Sequence, residues 1–303
     1  MNKSEILFIY DVKDANPNGD PLDENKPRID EETGHNIVTD VRLKRTIRDY
    51  LFTYKEFNGS NDKDIFIREI ADENGTIQDA KARARDYDGN RESILNNCID
   101  IRLFGGTIPL EKDSITLTGP VQFKIGRSLH PVIMKHIKGT GAFASKEGSK
   151  QATFREEDIL YYSLIGFHGI INPMAANYST ATEDDIKLLL EAMWEGTKNL
   201  ISRSKFGHMP RLLLKINYKS QRFFIGDIDR LVKIKTDKTN ETLRDISDLK
   251  IDTEELGASL QKYSKQIESV EYKVDDRLAL FMNDSVINPA NIAKDITFSE
   301  IKF

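Results

Sequence analysis

The sequence predicts an α+β fold of the RRM or ferredoxin-like kind, a single domain over residues 1–303 that carries long insertions. Three observations lead there: an apolar run near the N-terminus, a capped amphipathic helix behind it, and a later strand–helix–strand series. Their order is strand, helix, strands, strand, helix, strand. Periodicity alone does not separate that order from other α+β layouts.

Glu5 to Val12 (EILFIYDV) reads as a short buried strand. A turn-rich stretch follows, with Pro17, Gly19, Pro21, Pro27 and Gly34. Thr39 and Asp40 then offer an N-cap for a helix running to about Tyr54. Leu43, Ile47, Tyr50, Leu51 and Tyr54 share its apolar face, which leaves Arg42, Arg45 and Arg48 pointing outward with Lys44 on the flank. Residues 55–100 are polar and net −4, and read as an insertion with two helix-like pieces and a turn at Asn74-Gly75. Ile101–Phe104 and Ser114–Lys124 read as strands. Gly126–Arg155 has four glycines, little apolar periodicity and many lysines, and reads as a long excursion from the core. Ile159–Ile171 returns as a buried strand, Glu183–Arg203 as an amphipathic helix, and Arg211–Tyr218 as another strand. A strand around Leu231–Ile234 and a charged helix near Glu254–Val270 complete the pass.

Hydrophobic residues at 39%, charged residues at 31% and a mean hydropathy of −0.49 describe a folded chain with a charged surface. The longest uncharged apolar stretch, Ile159 to Ile171, has 13 residues, short of the ~20 that a membrane helix needs. The N-terminus lacks the form of a signal peptide, and the expected location is the cytoplasm, without membrane contact. One cysteine, Cys98, excludes an internal disulfide and a cysteine-based zinc cluster.

The net charge of −5 by itself argues against nucleic acid, but its distribution argues for it. Residues 121–155 carry net +6 and residues 196–222 net +7, whereas 156–195 carry net −7 and 223–303 net −4. Two basic blocks and a basic helix on an otherwise acidic chain suit a polyanion lying along one surface.

Catalytic patterns are weak. Asp14-Ala15-Asn16-Pro17-Asn18-Gly19 imitates the start of a calcium loop, but position twelve is Asn25 rather than a bidentate Glu, so a run of Asx and proline turns is the better reading. Asp11, Asp14, Asp20 and Asp23 crowd the region of Asp40 and keep open a metal-dependent ribonuclease that uses the acidic loop Asp11–Asp23. Gly139–Ala144 imitates a dinucleotide fingerprint without its strand–turn–helix context, and there is no Walker lysine, nucleophile elbow or His-Glu-x-x-His helix. Five scattered histidines give no acid–base pair. No catalytic residue, metal or cofactor is expected. What remains is phosphate binding through the arginine-bearing helix, the Lys/Gly segment 126–155 and the Ser202–Gly207 turn. Phe143, in that segment, either stacks on bases or tucks onto the core.

The order of certain blocks is familiar. Ile6–Asp11 (ILFIYD) followed by Asn16–Pro21 (NPNGDP) resembles the opening of the repeated backbone subunit of type I CRISPR effector complexes (Cascade), closest to the type I-B form. The likeness continues through Lys26–Arg28 (KPR), Thr39–Arg45 (TDVRLKR), Arg102–Gly105 (RLFG), Gly119–Gln122 (GPVQ), Gly126–Ser128 (GRS) and Ser202–Gly207 (SRSKFG), and the last 80 residues carry no matching motif.

The resemblance implies an RRM-like palm with a finger-like insertion over 55–100 and a thumb-like loop over 127–157. It implies a non-catalytic homo-oligomer that runs along CRISPR RNA, presents it to a target DNA strand in antiviral defence, and works with other Cascade subunits and a recruited helicase-nuclease. Arg42, Lys44 and Arg45 match the family's basic helix, and Arg203 and Lys205 its Ser-Arg-Ser-Lys turn. Together with Arg48, Arg127, Lys138, Phe143, Lys146 and Lys150 they form the expected RNA-binding set. Related type III subunits cleave RNA with an aspartate and a metal, whereas the NPNGDP pattern resembles the non-cleaving type I branch.

Overall fold

The computed structural model describes residues 1–71, 74–111, 113–144 and 152–303. Strand β1 (Ser4–Ala15) is followed by two short pairs of residues, β2 (Gly19–Asp20) and β3 (Lys26–Pro27), and by β4 (His35–Val38). Helix α1 (Asp40–Tyr54) starts where expected, with the Thr39 side chain accepting from the Arg42 amide. Thr39 is itself positioned by Asn18, whose Oδ1 accepts from the Thr39 amide at 2.9 Å. The insertion contains α2 (Ala80–Arg85), α3 (Arg91–Asn97) and α4 (Ile99–Phe104), then a hairpin of β5 (Gly105–Pro109) and β6 (Ser114–Thr118).

Strands β7 (Val121–Phe123), β8 (Gly126–Pro131), β9 (Met134–Ala144) and β10 (Ala152–Ile171) follow. Helices α5 (Pro173–Ser179) and α6 (Glu183–Lys198) lead to β11 (His208–Tyr218). The C-terminal part holds β12 (Lys233–Lys235), β13 (Lys250–Asp252), α7 (Glu254–Lys262), β14 (Ile267–Val274), β15 (Leu280–Met282), β16 (Ser285–Ile287) and β17 (Thr297–Glu300).

The main sheet runs β17-β14-β11-β1-β10-β8-β4, with β7 and β9 also paired to β10. β1 lies at its centre, antiparallel to both β10 and β11. Alternate residues of a strand face opposite sides. Accordingly Ile6, Phe8, Tyr10 and Val12 join a core with Leu43, Ile47 and Leu51 of α1 and Leu189 and Met193 of α6. Leu7 and Ile9 join a second core with Leu212, Leu214, Ile251, Leu256 and Leu260. Gly196 of α6 permits the close crossing of the two helices, since a Cβ there would stand 3.0 Å from Tyr50 Cβ. The last 80 residues, without a motif in the sequence, thus cover the second face of the sheet with α7 and the four-stranded sheet β12-β13-β15-β16. Among the described residues no helix is long and apolar enough to cross a membrane.

Several expectations are corrected. Ile101–Phe104 belongs to a helix, because a short apolar run buried all round fits either state and Gly105, at φ +71°, ends it as a helix. The strand expected over Ser114–Lys124 is cut in two at Gly119-Pro120. The excursion over 126–155 is mostly ladder: β9 and β10 form a long hairpin, and β10 starts at Ala152 rather than Ile159. Its solvated cross-strand pairs, such as Lys138 opposite Glu156, carry no apolar alternation to detect. The helix expected over Glu254–Val270 stops at Lys262, and the rest of that span enters β14.

Arg48 does not point outward as predicted. It is buried under the insertion, with Nε 2.8 Å from Asp100 Oδ2 and the guanidinium over the Phe104 ring. Asp100 also accepts from the Phe66 amide at 2.8 Å and the Ile67 amide at 3.1 Å. One ion pair therefore fastens the insertion to α1. Arg48→Ala is expected to cost roughly 3–5 kcal/mol of unfolding free energy, as breaking a buried ion pair does. Asp100→Ala should cost more, since it orphans the guanidinium and two amides together. Urea unfolding of the two variants ranks them.

Candidate nucleic-acid interface

The Ser202–Gly207 turn closes the gap between α6 and β11 and folds back onto the end of β1. The Asn16 amide donates to Ser204 O at 2.9 Å, and the Phe206 amide to Ser202 O at 2.8 Å. Gly207 adopts φ +109°, and a Cβ there would lie 2.7 Å from Lys13 O, so the turn needs glycine at this position. This packing sets Lys205 beside the first turn of α1. Lys205 Nζ donates to Asn16 O, and both burial and the charge of Arg42 push its pKa down to about 8. Burial likewise lowers the pKa of Arg42, whose Nη2 reaches only the Thr46 hydroxyl at 3.0 Å and whose buried Nε has no hydrogen-bond partner.

The corner around these two cations also holds Tyr10, Pro17 and His208. Burial pushes the His208 pKa down to about 3, so this ring stays neutral and adds no charge. Among the described residues, neither Arg42 nor Lys205 has a carboxylate within ion-pair distance. Two cations half-withdrawn from water and without a carboxylate counter-ion are a place where an anionic oxygen would relieve both the desolvation and the mutual repulsion.

The other expected residues are differently placed. Lys44 pairs with Asp40 at 3.0 Å and lies over the Phe104 ring. Exposed Arg45 pairs with Asp49 at 2.7 Å and lines a cleft of about 360 Å³ with Phe66, Ile67 and Ile77 of the insertion. Arg127, on β8, pairs with Asp30 at 3.0 Å. Lys138 pairs with Glu156 at 3.0 Å across the β9–β10 ladder, and Arg203 pairs with Glu157 of β10. These five are exposed or partly exposed, and their carboxylate partners are local. The Phe143 side chain, Lys146 and Lys150 lie outside the described residues. Sequence reasoning missed Asn16 and His208 as walls of the corner. The signal for Asn16 was available in the Asn16–Pro21 block, and none marked His208.

The acidic residues do not converge. Asp11 is buried, 2.9 Å from Arg211 Nη2, and accepts from the Tyr162 hydroxyl at 3.1 Å. Asp20 accepts from Arg28 Nη1 at 2.8 Å, and Asp23 pairs with Lys26. Of the carboxylates proposed for a ribonuclease, Asp11, Asp20 and Asp23 thus have separate partners of their own.

Residues 2–254 match the family described as CRISPR-associated protein Cas7. The chain belongs to the Cas7 family. A CRISPR-associated protein Cas7 from Haloferax volcanii is 31% identical over 314 residues, covering 95% of this chain and 91% of that protein. This Cas7-family chain also shares its mixed α+β fold with solved structures. A chain of a "CRISPR RNA-guided surveillance complex, pre-nicking" aligns over 96% of this chain and 98% of its own, at TM-score 0.52 and 13% identity. A chain of a second CRISPR RNA-guided surveillance complex aligns over 96% of each, at TM-score 0.51 and 14% identity.

The depressed Lys205 pKa gives a signed prediction. An anion bound at the corner raises that pKa again, so binding takes up a proton between about pH 8 and the ordinary lysine value. RNA affinity should therefore fall as pH rises above about 8, and Lys205→Met should flatten that dependence. In the free chain the sign reverses: the unfolded state holds this proton more tightly, so folding stability rises with pH over the same window. Fluorescence-anisotropy binding curves from about pH 7 to about pH 9.5 check the first statement.

Proposed function

We propose that this chain is the non-catalytic CRISPR RNA-binding backbone subunit of a type I Cascade complex, close to the I-B form, and acts in the cytoplasm. Copies assemble head to tail along the guide RNA, beside other Cascade subunits, and present the guide for pairing with a target DNA strand. Cutting then falls to a recruited helicase-nuclease. Family membership supports the role, and the observation that carries the mechanism is the Arg42–Lys205 corner, a concentration of positive charge without a carboxylate counter-ion. Contacts of this kind hold a backbone and read no sequence, which suits a protein that must accept any guide.

We read the sheet core as an RRM-like palm. The strand order β11-β1-β10-β8 and the shared core of β1, α1 and α6 support this. Residues 55–100 are then the finger, and the β9–β10 hairpin within 127–157 is the thumb. Lys44, Arg45, Arg127, Lys138 and Arg203 sit along the palm and hairpin as a second tier, and they bind RNA by exchanging a carboxylate partner for a phosphate. Phe143, Lys146 and Lys150, within 127–157, belong to the same proposed RNA-binding set.

The test is purification with a CRISPR array and its processing enzyme, nuclease treatment in EDTA, and sequencing of the protected RNA. Spacer-derived RNA protected at regular steps is the expected result. Arg42→Ala with Lys205→Ala should lose most RNA retention while the chain stays folded, and should lower the salt slope of binding by about 0.7 per lost phosphate contact. An RNA-free chain that shortens test RNA when Mn²⁺ is added would overturn this reading in favour of a ribonuclease.

A further inference from the structure

On the far side of β1 from the Arg42–Lys205 corner, the fold assembles a group of side chains that RNA binding does not use. Glu5 is fully buried. It accepts from the Ile225 and Gly226 amides at 2.9 Å each, from the Tyr218 hydroxyl, and from His168 Nε2 at 2.7 Å. A carboxylate ringed by donors fixes the imidazole tautomer, with the proton on Nε2 and a lone pair on Nδ1. Nδ1 has no hydrogen-bond partner, although His168 is only 6% exposed. It faces Asp229 Oδ1 at 3.4 Å, and that buried oxygen accepts no hydrogen bond, its nearest cation being Lys124 Nζ at 3.6 Å. Asp227 stands next to them, and the ligand atoms of all three residues lie within 4.8 Å of one another.

We propose that His168 Nδ1, Asp227 and Asp229 bind a divalent transition-metal ion, with Glu5 as the positioning residue that orients the imidazole. Two buried polar atoms that face each other without a well-formed hydrogen bond are poorly satisfied, and an ion between them coordinates both. Ligands at ~2.0–2.2 Å from an ion need only a small contraction of this cluster. The nitrogen ligand favours zinc, cobalt or manganese over magnesium and calcium, which prefer all-oxygen sets. This departs from the expectation of no metal.

A cation already touches the cluster. Lys124 Nζ contacts Asp227 and lies 3.6 Å from Asp229, and its side chain is 47% exposed, free to swing into water as the ion enters. The bound ion ties the 224–231 segment, which leads into the C-terminal layer, to strand β10. Its role is a staple rather than a catalyst.

The experiment is titration of Co²⁺ into the full chain freed of RNA by nuclease, followed by visible absorption and by metal analysis after gel filtration. One equivalent of retained Co²⁺, displaced by Zn²⁺, is expected. Asp227→Asn changes a side chain that is 59% exposed and should weaken binding about tenfold without unfolding the chain. His168→Gln should abolish the absorption band. Lys124→Gln removes the competing ammonium and should tighten binding, an outcome that a purely structural lysine would not give. No retained Co²⁺ or Zn²⁺, or an affinity unchanged in both Asp227→Asn and Asp229→Asn, overturns the site.

Discussion

A strand buried on both faces cannot bury a charge without a partner, and β1 buries two. Glu5, near its start, is met by His168, the Tyr218 hydroxyl and two backbone amides. Asp11, near its end, is met by Arg211 and the Tyr162 hydroxyl. Each of these buried acids costs several kcal/mol when left alone, so the neighbours that satisfy them are tightly specified. Around Asp11 this constraint engages the carboxylate with Arg211 and Tyr162. Around Glu5 it orients a histidine toward two aspartates. The two ends of one strand thereby become chemically distinct.

The corner proposed to receive RNA follows from the same strand. Beyond Asp11, β1 runs out into the Asn16-Pro17-Asn18 turn, and this turn performs two tasks. Asn18 holds the N-cap of α1, and Asn16 anchors the Ser202–Gly207 turn. Arg42 and Lys205 come from segments some 160 positions apart and meet because both are docked on this turn. Neither is answered by a carboxylate, whereas Lys44, Arg45, Arg127, Lys138 and Arg203 each are. Counting charges along the chain overstated the free positive surface, since the acidic segment 156–195 supplies partners to the basic segments on either side of it. Pairing separates the two unanswered cations from a solvated fringe of answered ones.

Elements with one apolar face were legible in the sequence. Thr39 and the Leu43–Ile47–Leu51 stripe gave α1 almost to the residue, and β1, α6 and β11 followed from the same signal. The β9–β10 hairpin was not, because strands solvated on both faces show no alternation. Arg48 was placed outside since a helical wheel sees only the parent core, and the insertion that covers it packs from elsewhere in the chain. The Glu5–His168–Asp229 cluster was invisible for a related reason: its members sit on a strand, a strand and a 3₁₀ turn, at no recognisable spacing. Of the candidate site, the Thr39–Arg45 and Ser202–Gly207 blocks were visible as motifs. Their meeting at one corner needed the fold.

The central claim is that a phosphate of the guide sits between Arg42 and Lys205, and the most direct measurement is a cryo-EM structure of the chain assembled on a guide RNA. The account predicts, in every copy, a phosphate oxygen within hydrogen-bond distance of both the Arg42 guanidinium and Lys205 Nζ, with Lys205 drawn away from the Asn16 carbonyl. RNA running across another face, with the corner filled by water or by a neighbouring copy's carboxylate, would contradict it.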